Sequence, residues 1–228
     1  MLSVIIPVYN EEEILEVSLN KLLEYLSENE IESEVIVVDD GSQDKSRQIA
    51  ENFPVKINKK RQNKGKGYSV REGVNMAEGK RILFLDADLS TSLECIETFL
   101  EFSEEFNVIV GSRAKQKSQV QRVWHKSLLA RLSNTLIRNL LQINVKDTQC
   151  GFKMFTKKTA RKLFDKQKID GYGFDFEILM LAKKEGIPIK EAPVEWSSKK
   201  GSDINIKDYF KTFLELVKVK LYEVFNRY

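Results

Sequence analysis

The feature that most constrains the fold is an alternation of short apolar runs with amphipathic stretches along the first half of the chain. The apolar runs have the length of strands, and we expect strands over residues 2–8, 34–38, 55–58, 81–85 and 108–110. Asn10 is predicted as the N-cap of the first helix, and a short second helix is expected to follow Ser42 and to end near residue 52. Further helices are expected over residues 65–77 and 92–106. This order predicts an α/β fold with a mostly parallel sheet and helices on both faces.

The second half of the chain is less regular. We expect helices over residues 126–141 and 174–184, an extended segment over 148–155 and a last strand over 187–196. No internal repeat or low-complexity linker interrupts the chain, so residues 1–206 are expected to form one domain with halves 1–113 and 114–206. Residues 207–228 are a basic amphipathic helix, interpreted either as docked on the core or as lying in a membrane interface.

The cysteines, the single histidine and the hydrophobicity of the chain indicate the cellular compartment in which the protein is expected. Cys95 and Cys150 have no Cys-x-x-Cys spacing, which favours a reducing compartment, and with His125 as the single histidine we expect no histidine-rich zinc site. Met1 leads directly into an apolar strand, so we expect no signal peptide. No run approaches the roughly 18 apolar residues of a spanning helix, so any membrane contact is expected to be peripheral.

The formal net charge of +3 is unevenly distributed. Residues 11–34 are strongly acidic, whereas residues 59–71 and 113–126 are basic. Solvated loops explain any single lysine, but two such stretches suggest an anionic substrate or an anionic surface. Nucleic acid is not expected as a partner, because the basic stretches carry few aromatic residues and no nucleic-acid-binding motif.

Two carboxylates follow the predicted strand over residues 81–85. Asp86 and Asp88 fall at its C-terminal end, where open α/β sheets bind their ligands. Paired carboxylates there need a positive partner, and a divalent metal that carries a diphosphate is the usual one. The alternative is a strand end in which Asp88 caps the helix that starts near Ser92.

Two further polar segments follow predicted strands and are expected at the same edge of the sheet. They are Pro7-Val8-Tyr9-Asn10-Glu11 and Val38-Asp39-Asp40-Gly41-Ser42. Together with Asp86-Ala87-Asp88, these motifs resemble those of the inverting glycosyltransferases of the GT-A fold (family 2), in the same order and at ordinary spacings. In the second half, Asp147-Thr148-Gln149-Cys150-Gly151-Phe152-Lys153 resembles the branch that acts on polyprenyl phosphates. Within that branch the chain is most similar to dolichyl-phosphate β-glucosyltransferases, and next to the mannosyltransferases.

The resemblance implies roles for the donor-side residues. Asp86 and Asp88 would bind Mg²⁺ or Mn²⁺ through the donor diphosphate, while Ser90 stands where mannosyl relatives carry a glutamine ligand. Lys66 lies in a Gly-x-Gly loop expected near the nucleotide sugar, although a simple helix entry explains that loop equally well. The nucleotide-sugar pocket as a whole is expected to contain Pro7, Tyr9, Glu11, Val38, Asp40, Lys66, Asp86, Ala87 and Asp88.

The resemblance also implies an acceptor side. Arg113 would contact the acceptor phosphate, since a guanidinium binds two oxygens at once, and His125 and Lys126 are weaker candidates for the same role. Asp147 is expected near the reacting centre as a base or as a group that orients the acceptor. The alternative for Asp147 is an Asx-type turn.

These roles predict inverting transfer of a hexose from a nucleotide sugar to a polyprenyl or dolichyl phosphate. UDP-glucose is favoured over GDP-mannose, and the enzyme is expected at the cytoplasmic face of a membrane as a peripheral protein. The alternatives are a mannosyltransferase, a soluble family 2 transferase that acts on a glycan hydroxyl, and a silent nucleotide-sugar-binding scaffold. A hydroxyl acceptor would require a true general base, which would make Asp147 indispensable.

Overall fold

The computed structural model describes the backbone of residues 1–114, 120–121, 124–197 and 206–228, and the side chains of residues 1–114, 131–197 and 208–228. The strands are β1 (Leu2–Val8), β2 (Ser33–Asp39), β3 (Lys56–Lys59), β4 (Arg81–Leu85), β5 (Val108–Ser112), β6 (Val120–Gln121), β7 (Phe152–Thr156), β8 (Ile189–Pro193) and β9 (Trp196–Ser197). The helices are α1 (Leu15–Glu28), α2 (Ser46–Glu51), α3 (Lys66–Met76), α4 (Cys95–Phe102), α5 (Trp124–Leu141), α6 (Lys157–Asp165), α7 (Phe174–Lys184) and α8 (Ile206–Val224).

The main sheet has the strand order β3-β2-β1-β4-β7-β5-β8. β7 is antiparallel to both neighbours, and the other pairs are parallel. The carboxyl ends of β1, β2, β4 and β5 therefore lie at one edge, and the amino end of β7 joins them there. The predicted α/β fold with a mostly parallel sheet is confirmed.

Two apolar layers, one on each face of the sheet, form the core. Successive side chains of a strand point to opposite faces, so Ile5 and Phe84 belong to one layer and Val4 and Leu83 to the other. The first layer packs against α3, α5, α6, α7 and α8, and the second against α1, α2 and α4. Helices thus cover both faces, and the ligand edge is left at the end of the sheet.

The predicted N-cap at Asn10 is wrong, because α1 begins at Leu15. Asn10 has a left-handed backbone with φ of 56°. Its side-chain oxygen accepts the Gln43 N–H at 2.8 Å, and its own N–H donates to Ser42 Oγ at 3.0 Å. The side chain that was predicted to cap a helix instead joins the loops after β1 and β2.

The second half also differs from the prediction in two respects. The nine-residue helix α6 was not anticipated, and the predicted strand over 187–196 is divided into β8 and the short β9. β9 leaves the main sheet and pairs with β6 in a two-stranded sheet. The extended segment over 148–155 contains β7, which begins at Phe152.

The C-terminal helix α8 has two apolar sides. Leu216 and Val219 are buried in the core, so the helix docks on the fold. A second row of apolar side chains faces solvent, at spacings of three and four residues that lie on one side of a helix: Phe210, Phe213, Leu214, Val217, Leu221 and Val224. None of the helices in the described residues is long and apolar enough to cross a membrane. The boundary at residue 206 stays a prediction.

Candidate active site

The loops after β1 and β2 are tied together at the carboxyl edge of the sheet. Ser46 Oγ accepts the Glu11 N–H at 2.7 Å, and Asp44 accepts the N–H groups of Glu12 and Ser46. Asp39 accepts the Ser42 N–H at 3.0 Å. These bonds give the two loops one fixed arrangement, in which Tyr9 remains 42% exposed.

Asp40 fixes the loop that precedes α3. Its carboxylate accepts the N–H groups of Lys64 at 3.0 Å and Gly65 at 2.7 Å. Burial raises the pKa of Asp40, although these two bonds oppose the increase. Asp40 was predicted to lie in the nucleotide-sugar pocket, and its two backbone bonds connect it directly to the loop that carries Lys66.

Lys66, the first residue of α3, pairs with a predicted metal ligand. Its ammonium group bonds to Asp86 Oδ1. Burial alone would lower the pKa of Lys66, but the charges of Asp86 and Asp175 raise it above its ordinary value. The lysine is therefore a fixed positive charge at the carboxyl end of β4.

Asp88 is oriented by its neighbour Ser90 rather than by a helix. Asp88 accepts the Ser90 N–H at 2.9 Å and the Ser90 hydroxyl at 2.6 Å. α4 begins later, at Cys95, and has no side-chain cap, so the predicted alternative in which Asp88 caps that helix is wrong. Asp88 is held beside Asp86, and Ala87 between them is buried.

Glu11 adds a third carboxylate to this part of the edge. Burial, and then the charges of Asp88 and Asp86, raise the pKa of Glu11 to about 7. Three acids near one lysine leave this region short of positive charge. Carboxylate oxygens are ligands suited to Mg²⁺ and Mn²⁺, so Asp86 and Asp88 fit a divalent cation. Among the described residues no group of three or more potential ligands surrounds one metal position.

Arg113 and Asp147 form a two-pronged ion pair on the other side of the site. Arg113 Nε donates to Asp147 Oδ2 at 2.6 Å, and the Arg113 Nη2 donates to Asp147 Oδ1 at 2.8 Å. The Arg113 backbone N–H donates to the same carboxylate at 3.0 Å. Burial opposes the ionised form of Asp147, but Arg113 outweighs it and holds the Asp147 pKa below its usual value. The guanidinium also lies over the ring of Trp196, 5.5 Å from its centroid.

The motif that begins at Asp147 contacts the metal-binding motif directly. A Cβ on Gly151 would collide with the Asp86 carboxylate, so any other residue at this position would have to displace that carboxylate. Two residues later, the buried ammonium group of Lys153 bonds to the Asp175 carboxylate and to the Cys150 carbonyl, at 2.7 Å for the latter. Gly151 and Lys153 were not singled out as site residues, because their roles depend on partners far away in the sequence.

Glu177, near the start of α7, supports a neighbouring loop. It is fully buried, and its carboxylate accepts the N–H groups of Lys168 at 2.9 Å and Ile169 at 3.0 Å. The Tyr228 hydroxyl donates to the same carboxylate at 2.8 Å. Glu177 thereby fixes the segment that follows α6.

The remaining predicted residues are less directly engaged. Pro7 is partly buried at the end of β1, while Val38 is fully buried in the core. Any contact between Val38 and a nucleotide must therefore come from its backbone. His125 and Lys126 belong to the first turn of α5, and their side chains lie outside the described residues.

The structure therefore places two carboxylates after β4 beside a lysine-bearing loop at the edge of a mostly parallel sheet, as the resemblance to the GT-A glycosyltransferases implied. Residues 3–164 match the sequence profile described as Glycosyl transferase family 2. The chain belongs to this family.

Curated relatives cover most of the chain. The dolichyl-phosphate beta-glucosyltransferase of Dictyostelium discoideum is 32% identical over an alignment of 237 positions, which covers 95% of this chain and 72% of that protein. The dolichyl-phosphate beta-glucosyltransferase of Homo sapiens is 33% identical over an alignment of 224 positions, which covers 89% of this chain and 69% of that protein. The similarity to these relatives thus extends past residue 164, where the match to the family profile ends.

Solved structures show the same fold. Mannosyl-3-phosphoglycerate synthase from Rubrobacter xylanophilus has a TM-score of 0.75 at 16% identity and covers 100% of this chain and 75% of its own. Glucosyl-3-phosphoglycerate synthase from Mycobacterium tuberculosis, solved with Mn²⁺, UDP and phosphoglyceric acid, has a TM-score of 0.72 at 18% identity. The second likeness covers 96% of this chain and 78% of that chain. At these identities the likeness establishes the fold and leaves the substrates open.

Proposed function

We propose that this glycosyltransferase transfers glucose from UDP-glucose to dolichyl phosphate or a related polyprenyl phosphate, with inversion at the anomeric carbon. The relatives named above act on glucose and dolichyl phosphate by their names. UDP-glucose is preferred to GDP-mannose because those relatives are glucosyltransferases by name.

The observation that carries the proposal is the ion pair between Arg113 and Asp147. A general base works best when its pKa lies near the working pH, whereas Arg113 holds the Asp147 pKa low. Asp147 is therefore poorly suited to take a proton from a hydroxyl acceptor. A phosphate acceptor is already an anion near neutral pH and needs no base, so the pair favours a phosphate over the hydroxyl of a glycan.

In the proposed reaction, an oxygen of the lipid phosphate attacks the anomeric carbon while the bond from that carbon to the UDP oxygen breaks. Arg113, held by Asp147 and Trp196, would bind the acceptor phosphate, and Lys66 would lie beside the departing diphosphate. A divalent cation held by Asp86 and Asp88 would neutralise the charge that develops on that diphosphate. An α-linked donor would give a β-linked glucosyl phosphate lipid.

The exposed side of α8 is proposed as the contact with an anionic membrane surface. Lys211 and Lys218 flank the exposed apolar row, as in helices that lie in a lipid interface, and the acidic Glu215 points inward to Gly173. Basic residues are attracted to the cytoplasmic leaflet, whose lipids are negatively charged. We therefore propose that the enzyme binds the cytoplasmic face as a peripheral protein.

Membrane binding can be tested by sedimentation with vesicles of phosphatidylcholine alone or mixed with phosphatidylserine. Phe210→Ser/Phe213→Ser should lower the fraction bound to the anionic vesicles. The matched control is Val17→Ser, which replaces an exposed valine on α1, a helix on the opposite face of the sheet. Equal binding by both variants would contradict the proposal for α8.

The proposed reaction is tested by transfer of labelled sugar to dolichyl phosphate in detergent, with UDP-glucose or GDP-mannose and with Mg²⁺, Mn²⁺ or EDTA. Label should enter the lipid phase from UDP-glucose and disappear with EDTA. Asp88→Ala should lower the rate about 100-fold, since the lost charge stabilisation amounts to several kcal/mol. Asp165→Ala, which removes an exposed carboxylate at the end of α6, is the control.

Each other outcome selects one alternative. Label from GDP-mannose alone would make the protein a mannosyltransferase. Absence of labelled lipid together with metal-dependent UDP binding would contradict the phosphate acceptor and favour a hydroxyl acceptor. If binding is also insensitive to metal and to Asp88→Ala, a silent binding protein becomes the better description.

A further inference from the structure

The segment Gly171–Tyr172–Gly173, between α6 and α7, presents an aromatic side chain beside the donor loop. Tyr172 is 44% exposed, although the residues on either side pack closely against other elements. No motif in the sequence singles it out. An exposed aromatic ring on a tightly held segment next to a binding site is a candidate for contact with substrate.

Backbone contacts place this segment against the loop that carries Lys66. The Tyr68 N–H donates to the Asp170 carbonyl at 3.0 Å. A Cβ on Gly65 would collide with that same carbonyl and would lie 3.2 Å from the Cα of Gly171. Gly65 and Gly171 are therefore in contact, and Lys66 and Tyr172 follow them directly in the sequence.

The hydroxyl end of Tyr172 is within electrostatic range of the donor site. Burial raises the pKa of Tyr172, the charge of Lys66 opposes the increase, and Asp86 and Glu11 add to it. The same tyrosine contributes to the raised pKa of Lys66. The backbone contacts bring the segment to this loop, and these interactions put the phenol near Lys66, Asp86 and Glu11.

Glu215 of α8 holds the segment from the other side. Its carboxylate accepts the Gly173 N–H at 2.7 Å. A Cβ on Gly171 would collide with the Glu215 carboxylate, and a Cβ on Gly173 would lie 2.8 Å from the Glu215 Cβ. The two glycines thus allow Glu215 to lie directly against the backbone on both sides of Tyr172.

We propose that the Tyr172 ring binds the hexosyl group of the donor, and that Glu215 is the positioning residue that holds the ring there. The proposal rests on the proposed function, because it takes the donor diphosphate to lie at Asp86, Asp88 and Lys66. In a nucleotide sugar the hexose is bonded directly to that diphosphate. One face of a pyranose carries mainly C–H groups, which suits contact with an aromatic ring.

Calorimetric titration of the full chain with UDP-glucose and with UDP, both with Mn²⁺, tests this assignment. Tyr172→Ala should weaken UDP-glucose binding about tenfold, the size expected for one lost aromatic contact, and UDP binding less than twofold. Tyr172→Phe should bind both ligands as the wild type does, because the ring remains. Glu215→Ala should repeat part of the selective loss. Glu215→Gln should not, because its amide oxygen still accepts the Gly173 N–H.

Several results would overturn the assignment. Equal weakening of UDP and UDP-glucose by Tyr172→Ala would mean that the segment only supports the loop. No weakening of either ligand, or a loss in Tyr172→Phe as large as in Tyr172→Ala, would exclude a contact between ring and sugar. A raised KM for dolichyl phosphate with an unchanged KM for UDP-glucose would assign Tyr172 to the acceptor. Failure of the proposed function has a different signature, in which the wild type binds UDP-glucose but labels no lipid, and the ratio of the two affinities still tests Tyr172.

Discussion

The carboxylates of the donor side and those of the acceptor side are compensated differently. On the proposed donor side, Lys66 is the close cation that the described residues provide for Asp86, Asp88 and Glu11, and the pKa of Glu11 is raised to about 7. On the acceptor side each buried aspartate has its own cation: Asp147 pairs with Arg113, and Asp175 pairs with Lys153. The two sides meet where Gly151 contacts Asp86.

This difference in charge compensation indicates which charged ligand each side favours. Excess negative charge on the donor side favours an added divalent cation, because the carboxylates repel one another without it. The acceptor side has its aspartates already neutralised, so an incoming phosphate meets little repulsion there. Donor binding and acceptor binding are therefore expected to respond differently to substitutions of charged residues.

The largest effect is expected from Lys153→Met. Removing the fully buried lysine leaves Asp175 without its partner, which should lower the free energy of unfolding by about 3–5 kcal/mol. The pair of Lys66 with Asp86 is more exposed, so Lys66→Met should cost about 1 kcal/mol or less. Urea denaturation of both variants measures the difference, and similar losses would contradict the distinction between the two sides. The double variant Lys153→Met/Asp175→Leu should regain much of the stability.

Gly151→Ala is expected to have the next largest effect, on the donor side. The new Cβ would push the Asp86 carboxylate from its position, which should weaken UDP binding with Mn²⁺ about 10–100-fold. Asp86→Ala removes the group that is displaced. Titration should therefore show that Asp86→Ala/Gly151→Ala is no weaker than Asp86→Ala alone. A further loss in the double variant would assign the effect of Gly151 to something other than Asp86.

A smaller effect is expected from Asp147→Asn. If the acceptor is a phosphate that needs no base, kcat with saturating dolichyl phosphate should fall less than about tenfold, whereas loss of a general base costs about 10²–10⁴-fold. Arg113→Lys should chiefly raise the KM for dolichyl phosphate, because an ammonium cannot replace the two-pronged guanidinium. Steady-state kinetics that show a loss of kcat above 100-fold for Asp147→Asn would instead support base catalysis.

The smallest effect is a slope in stability with pH. In metal-free protein the folded-state pKa of Glu11 is about 7, above its ordinary value of 4.5. The unfolded chain therefore releases this proton first, and stability should fall as pH rises from about 4.5 to 7. Melting temperatures in EDTA should show this slope, and it should flatten in Glu11→Gln or with Mn²⁺. A slope of unchanged size in Glu11→Gln would assign it to other groups.

The donor side could largely be predicted from the sequence because its elements are local. Each motif directly follows an apolar run, and the α/β order brings the ends of β1, β2 and β4 to one edge. The sequence could not show that Asn10 would leave its predicted helix, because its bond to Gln43 spans 33 positions. Local capping preference was outweighed by a tertiary hydrogen bond.

For the acceptor side, the sequence predicted Arg113 and Asp147 as site residues but did not predict which residues form ion pairs with one another. Arg113 and Asp147 are 34 positions apart, and Lys153 and Asp175 are 22 apart. Both pairs are consequences of the position of β7 in the sheet, which no periodicity in the sequence reveals. α6 was missed because its nine residues contain only three apolar side chains that are buried, at Ala160, Leu163 and Phe164.

The position of β7 also affects how the protein can be made. β7 lies between β4 and β5 and provides the connection between them in the sheet. A ribosome must synthesise residues up to 156 before the free edge of β4 can be covered, and unpaired strand edges promote aggregation. Residues 1–113 expressed alone would therefore leave the edge of β4 uncovered. Completion of the sheet is expected to require β7, from beyond residue 113, to fold together with β4 and β5.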